Sequence, residues 1–433
     1  MLKRLIIDDL IKWKDNQEKK VLIVKGARQV GKTFIINHFG NNYYDNYIMI
    51  NFEETPSAKD IFSGDLDANT IYNKISLLFP NKPINKNTLI FLDEIQSCPN
   101  ARVALKFLAI DDRTDIIASG SLLGINYIEV SSFPVGYTLE LQMYSLNFIE
   151  YLFAYGYDEK MLNNLYDSYV NKNKIDAFIH KKMMEVFKEY IIVGGMPSAV
   201  YSYIKNKSFH DVRIIQKNII SNYLDDISKY AKGNEKTKAR ECFLSIPKNL
   251  SKDYKKFQYS VVKKKGRAKD YEGSLRWLID AGLISCCYNV TQLELPLEGN
   301  AINEEFKVYL NDTGLLLSMF DDESGLDILN DNLGIYKGAI YENIIAEILT
   351  KSNKKLYYFR KKSGLELDFL LREKESSQLS VIEVKSSENT KAKSFDLSLK
   401  TTENLKGIKL SKRNISIHNN YIEYPLYLSM FIK

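Results

Sequence analysis

The 433-residue chain is short of the residues that build metal clusters, cross-links and repetitive structure. Its four cysteines, Cys98, Cys242, Cys286 and Cys287, lack metal-ligand spacing, and its four histidines are scattered, so a zinc site is not expected. No disulfide framework is expected either, and the cysteines read as reduced core residues of a cytoplasmic protein. With 9 prolines and 21 glycines, the composition excludes collagen-like and low-complexity character. No apolar run reaches the roughly 18 residues of a spanning helix, so no membrane partner is expected. Met1 to Trp13 mixes Lys and Asp into its apolar residues and shows no small-residue cleavage site, so no signal peptide is read there. No internal repeat is found.

What is present points to a folded, multidomain protein. The chain is 45% hydrophobic, 12% aromatic and 26% charged, enough apolar surface for substantial cores. At about 100–200 residues per domain, the length allows two to four domains. The formal charge of +6 permits an acidic partner such as nucleic acid without requiring one. Short β-branched runs at Val21–Lys25, Tyr47–Phe52, Leu89–Leu92 and Asp115–Ala118, with a fifth at Thr138–Met143, are separated by segments long enough for crossover helices. That alternation predicts a parallel α/β sheet. From Leu146 to about Lys229 the pattern is helical, interrupted at Gly194-Gly195 and Pro197. A lysine-rich region, 229–269, follows, with a strand expected at Tyr259–Val262, a helix at Gly273–Ala281 and a strand at Leu283–Tyr288. The last hundred residues read as a helix at Gly338–Leu349 and strands at Leu356–Phe359, Leu365–Leu371 and Ser380–Val384.

Gly26-Ala27-Arg28-Gln29-Val30-Gly31-Lys32-Thr33 fits the phosphate-loop pattern, between an apolar strand and a helix. Glycines let the backbone wrap a polyphosphate with its N–H groups and the helix N-terminus facing the anion. Lys32 is then expected to reach the β and γ phosphates, and Thr33 to offer its hydroxyl to Mg²⁺. Leu89-Ile90-Phe91-Leu92 carries Asp93 and Glu94 out at the C-terminal end of a buried strand, where α/β sheets bind ligands. Asp93 is expected in the Mg²⁺ shell and Glu94 as the group that orients and polarises the attacking water. Ser119, at the end of the next strand, is the candidate sensor of the γ phosphate, although a plain turn serine fits as well.

These motifs, with Ile95-Gln96 and Ser119-Gly120-Ser121, resemble the AAA-type ATPases of the "AAA domain 14 plus DUF4143" arrangement. Phe133-Pro134-Val135-Gly136, the helix start at Ser145–Leu152, Gly194-Gly195-Met196-Pro197, Phe306–Leu310 and Asp312-Thr313-Gly314-Leu315-Leu316 extend the likeness over nearly the whole chain. The resemblance implies an α/β P-loop NTPase fold with an AAA-like parallel-sheet core over 1–145. It further implies a helical lid over 146–230, a winged-helix-like segment over 231–330 and a restriction-endonuclease-like α/β domain over 331–433. Many relatives carry Arg after the glycine matching Gly136, where this chain has Tyr137. Arg28 and Arg102 are the candidates to stand in for that charge, and no arginine finger is assigned.

Three further groups stand in the last domain. Glu342 opens an apolar helix, Asp368 sits in an apolar strand, and Glu383-Val384-Lys385 ends another. Residues two apart on a strand share a face, so Glu383 and Lys385 project together. Asp368 and Glu383 offer the hard oxygens that Mg²⁺ takes, Glu342 could support the ion or a water, and Lys385 could stabilise a charged phosphoryl transition state. The series is similar to the PD-(D/E)XK nuclease signature, and a buried ion-pair network in a binding domain explains the same residues. The run Lys263-Lys264-Lys265-Gly266-Arg267-Ala268-Lys269 reads either as a DNA-contacting surface or as a solvated loop, with Phe257, Tyr259, Tyr271 and Trp277 as core. The expected function is ATP hydrolysis with ATP and Mg²⁺ as ligands, driving a DNA-binding module with Mg²⁺-dependent nuclease chemistry as a further option. The alternative is a nucleotide-gated switch or scaffold for a protein partner.

Overall fold

The β-branched runs of the first third become five strands: β1 (Val21–Lys25), β2 (Asn46–Asn51), β3 (Thr88–Asp93), β4 (Asp115–Gly120) and β5 (Thr138–Gln142). The structure, a computed structural model, describes residues 2–16, 20–120, 136–230, 235–252, 254–320, 324–332, 334–373, 378–386 and 392–432. The strands lie in the order β2-β3-β4-β1-β5, and every neighbouring pair is parallel. Parallel neighbours need crossovers, and helices Lys32–Tyr43, Ala68–Leu78 and Pro99–Asp111 supply them. β3 and β4 are buried along their whole length, which is why their sequences run apolar without alternation. One core packs Ile48, Ile50, Phe52, Phe62, Ile71, Ile90, Leu92 and Leu105. The C-terminal ends of β1, β3 and β4 therefore come out side by side, carrying Gly26, Asp93 and Ser119.

This sheet belongs to a unit of Lys3–Ser145 with Asp280–Gly282; a second unit holds Leu146–Ile279 and Leu283–Lys433. Its first part is helical, as the apolar spacing predicts, with helices Phe148–Tyr155, Glu159–Asn171, Ala177–Val193, Pro197–Asn206 and Phe209–Tyr230. Asn147 and Glu150 start the first of them with a reciprocal capping box. Helices Glu235–Leu250 and Ala268–Asp280 follow. The expected strand at Tyr259–Val262 is instead one helical turn. Its β-branched valines favour a strand weakly, and the local bonds decide otherwise. Val261 N–H donates to the Gln258 carbonyl at 2.9 Å, and Asn249 Oδ1 accepts from Gln258 N–H at 2.9 Å.

The remaining strands form a single mixed sheet of eight: β6 (Ile284–Val290), β7 (Ala301–Leu310), β8 (Leu356–Arg360), β9 (Glu366–Arg372), β10 (Leu379–Val384), β11 (Leu405–Ser411), β12 (Ser416–Ile417) and β13 (Tyr421–Pro425). Their order is β12-β13-β11-β10-β9-β8-β6-β7. The β6–β7 hairpin is antiparallel, yet β6 also pairs in parallel with β8. β6 and β7 lie within residues 231–330, which the resemblance assigns to a winged-helix-like segment, and they are continuous with the strands that follow residue 330.

Two motifs singled out in the sequence meet in this unit. A Cβ on Gly314 would stand 2.5 Å from Gly194 N, so only glycine permits that approach. Asp312 accepts from Gly195 N–H at 2.8 Å and caps helix Thr313–Ser318 through Leu315 N–H at 3.1 Å. Behind them Asn343, fully buried, accepts from Leu310 N–H at 2.9 Å and donates to the Leu310 carbonyl at 3.1 Å. Asn343→Ala strands both backbone groups, so a loss of about 2–4 kcal/mol in unfolding free energy is expected. Urea denaturation checks this, and a change within experimental error would show that the pair is met another way.

Candidate active site

The loop after β1 is shaped by its backbone. Gly26 has φ 153°, Gln29 φ 66° and Gly31 φ 95°. A Cβ on Gly26 would lie 2.1 Å from the Met143 carbonyl oxygen, so the loop closes against the strand edge only with glycine there. Arg4 fixes the far side, donating to the carbonyls of Val30 at 2.9 Å and Tyr144 at 2.7 Å. Lys32 begins the helix and is 7% exposed. Its Nζ donates to the carbonyls of Gly26 and Ala27, both at 2.9 Å, and makes no ion pair among the described residues. Burial pulls its pKa down to about 8, against the opposing pull of the Glu94 and Asp93 carboxylates.

Asp93 is the hub of the facing side. Its Oδ2 accepts from Thr33 Oγ1 at 2.9 Å and from Asn51 Nδ2 at 3.2 Å, and its Oδ1 from Glu94 N–H at 3.1 Å and from the Ser119 hydroxyl. Parallel pairing of β2 with β3 places Asn51 opposite Asp93. Ser119, wholly buried, points at Asp93. Glu94 sits at φ 52°, a conformation non-glycine residues rarely hold, and its carboxylate accepts from Gln96 Nε2. Burial raises the Glu94 carboxyl above the ordinary glutamate value, outweighing the Gln96 hydrogen bond. The structure thus gathers Lys32, Thr33, Asp93, Glu94 and Ser119 at the C-terminal ends of the inner strands β1, β3 and β4. A hard oxygen donor set suits Mg²⁺, and the Thr33 hydroxyl beside the Asp93 carboxylate fits that ion. Ser121 and Phe133–Val135 lie outside the described residues. Tyr137 is half-exposed under Lys106 Nζ, 5.6 Å from the ring centre.

The C-terminal acids meet a different environment. Glu342 Oε1 accepts from Lys307 Nζ at 2.9 Å and from the Tyr309 hydroxyl, and Oε2 pairs with Lys255. Lys307, with no exposed surface, also pairs with Glu366 at 2.8 Å. Although burial works against it, the Lys255 and Lys307 ammoniums hold the Glu342 carboxyl down at about 2. Asp368 Oδ2 accepts from Val384 N–H at 2.8 Å, and Lys385 Nζ pairs with Glu383 Oε1 at 2.7 Å. Burial, with the Asp368 carboxylate beside it, pushes Glu383 up to about 8. Among the described residues Glu383 Oε2 is a buried oxygen without a hydrogen-bond partner, which suits a cation. Yet among the described residues no group of three or more His, Cys, Asp or Glu side chains is arranged to hold a metal. Glu342 is already paired with two ammoniums, and the reading of Asp368, Glu383 and Glu342 as ligands of one Mg²⁺ stays a proposal.

Lys263, Lys264, Lys265, Arg267 and Lys269 are all exposed, while Phe257, Tyr271 and Trp277 are buried. Tyr259 is half-buried and stacks on Tyr271 with ring centres 6.2 Å apart.

Residues 18–152 match the family described as AAA domain, residues 184–326 a domain of unknown function, DUF8612, and residues 337–430 a domain of unknown function, DUF4143. The chain thus has the AAA-domain-plus-DUF4143 arrangement. No curated protein sequence matches it. Among solved structures, the ORC1 protein of Aeropyrum pernix in complex with DNA is 12% identical, with 76% of this chain and 90% of that one covered at a TM-score of 0.29. AMPPCP-bound DnaA from Aquifex aeolicus is 14% identical, with 64% and 88% covered at 0.30. Drosophila ORC bound to DNA is 11% identical, with 75% and 93% covered at 0.27. At these scores the superpositions place no residue. No helix among the described residues is long and apolar enough to cross a membrane.

The buried cluster yields a stability test. Lys307→Met leaves Glu342 and Glu366 without their shared cation and is expected to cost about 3–5 kcal/mol. Lys385, with 24% of its side chain exposed, is expected to cost less than half of that as Lys385→Met. Equal losses in urea unfolding would show that Lys307 is not the cluster's keystone.

Proposed function

We propose that the chain binds ATP at residues 26–33, hydrolyses it by attack of water on the γ phosphate, and uses the cycle to drive a C-terminal DNA-binding module. The AAA-domain match supports the nucleotide half. The observation that carries it is Lys32, a buried ammonium that among the described residues is hydrogen-bonded only to loop carbonyls. A buried charge without a counter-ion is costly, and a polyphosphate in the loop supplies the missing anion. In this reading the loop N–H groups and Lys32 hold the β and γ phosphates. Thr33 and Asp93 hold Mg²⁺, which offsets phosphate charge. Glu94, buried and with its carboxyl raised, orients the water and takes its proton. Ser119 and Asn51 position Asp93, and Ser119 is the group nearest to act as γ-phosphate sensor.

The DNA half is supported by the exposed Lys263–Lys269 run, whose contacts would be to phosphates and insensitive to sequence. A second reading is favoured by the lysines on Glu342: the C-terminal domain keeps a nuclease-like pattern without cleavage, and the ATPase acts as a switch for a protein partner.

Lys32→Ala is expected to abolish ATP turnover. Glu94→Gln is expected to retain ATP binding and lose turnover by about 10²–10⁴-fold, because only the proton acceptor is removed. Normal turnover in Glu94→Gln would remove Glu94 from that role. Fluorescence anisotropy with a DNA duplex tests the second half. Replacing Lys263, Lys264 and Lys265 with Ala is expected to flatten the salt dependence by roughly two to three phosphate contacts. Absence of DNA binding at low salt would leave the protein-partner reading. Plasmid cleavage with Mg²⁺ or Mn²⁺ that is lost in Asp368→Ala would restore the nuclease.

A further inference from the structure

Away from both carboxylate sites, three ammonium groups from separate elements converge on one carboxylate. Lys188 lies in helix Ala177–Val193, Lys337 opens helix Lys337–Lys351, and Lys412 follows β11. Lys188 Nζ donates to Asp331 Oδ2 at 3.0 Å, and Lys412 Nζ donates to Oδ1. Lys337 Nζ is 3.6 Å from Oδ1 and donates to the Asp331 backbone carbonyl at 3.2 Å. Lys188 also donates to the Leu329 carbonyl at 3.2 Å. Each of the three lysine side chains is only 17% exposed. Lysines this buried are ordinarily matched charge for charge, and among the described residues three positive charges here pair with one carboxylate. Burial, with the nearby Lys337 and Lys188 ammoniums, leaves the Lys412 pKa low in spite of Asp331.

A fourth group sharpens the chemistry. Tyr341 is 1% exposed, and its hydroxyl has no hydrogen-bond partner among the described residues. It lies close enough to Asp331 that this carboxylate, after burial itself, raises the phenol. The Lys412 ammonium is 5.8 Å from the Tyr341 ring centre. Three ammoniums and an unsatisfied hydroxyl offer more donors and more charge than one planar carboxylate can take. A tetrahedral phosphate group answers both: a free phosphate brings up to four acceptor oxygens and two charges, and a nucleic-acid backbone brings successive phosphates, each with two free oxygens and one charge. Asp331 itself sits on a connecting segment at φ 61°, with its side chain 39% exposed.

We propose that Lys188, Lys337, Lys412 and Tyr341 form a binding site for a phosphate group, and that the Asp331 carboxylate is an internal stand-in which an incoming phosphate displaces. The phosphate is free or part of a nucleic-acid backbone, and none of the four residues belongs to the loop at residues 26–33. The test uses the full chain with Lys32→Ala, so that the loop does not compete, and two probes: inorganic phosphate by calorimetry and a fluorescent DNA duplex by anisotropy. Asp331→Asn is expected to raise affinity for at least one probe about tenfold. Adding Lys188→Met and Lys412→Met is expected to reverse the gain. A gain with inorganic phosphate assigns a site for free phosphate, and a gain with the duplex alone assigns a backbone phosphate. Unchanged affinity for both probes overturns the proposal and leaves the four residues as a staple for the segment. Should Asp331→Asn fail to fold, Asp331→Gly, which accepts the same left-handed backbone, replaces it in every arm.

Discussion

A buried ammonium that makes no ion pair among the described residues organises the first unit. Lys32 is almost wholly withdrawn from water, and its hydrogen bonds go to two carbonyls of its own loop. That arrangement holds because the loop cannot relax. Gly26 is pressed against the Met143 carbonyl, and Arg4 pins Val30 to Tyr144. The parallel sheet supplies the frame, since its order sets β1 beside β4, and β4 beside β3. Three strand ends then present the loop, the Ser119 hydroxyl and the Asp93 carboxylate together. The loop is thus preorganised for an anion, and Asp93 is preorganised by four donors, from Thr33, Asn51, Glu94 and Ser119.

The second unit manages buried charge in the opposite way. Glu342 receives two lysines and a tyrosine, and Lys307 in turn holds Glu366. Glu347, also buried, pairs with Lys351 at 2.6 Å and accepts from Thr313 N–H at 2.6 Å. These networks tie helix Lys337–Lys351 to β7 and to the Asp312–Gly314 turn. A carboxylate satisfied in this manner serves folding specificity as readily as chemistry. That is why the acid series in the sequence does not by itself distinguish a nuclease from a binding domain.

Much of the first unit was legible because its signals are local. The phosphate loop is a contiguous pattern, and the strand runs are contiguous too, so Val21–Lys25 is found at its bounds and Asp115–Ala118 lengthens only to Gly120. What escaped depends on distant partners. Nothing near Arg4 in the chain announces that it clamps Val30, and Asn51 becomes a ligand of Asp93 only through strand pairing. The same holds for Lys255 and Lys307, which reach Glu342 from 87 and 35 residues away. Tyr259–Val262 misled because β-branching speaks for a strand while the turn bonds around it do not. The parallel pairing of β6 with β8, which joins segments on either side of residue 330, likewise leaves no local signal.

The central claim, that the Lys32 ammonium is reserved for a polyphosphate, has a direct thermodynamic signature. In the protein alone, burial holds its pKa near 8, so the group is largely neutral above that value. A bound triphosphate raises that pKa, so the complex must take up a proton where the free protein lacks one. The decisive measurement is the calorimetry of ATP binding at pH 8.5 in buffers of different ionisation enthalpy. Uptake of on the order of half a proton or more is predicted, absent in Lys32→Met. Binding without proton uptake, or with the same uptake in Lys32→Met, would contradict the account.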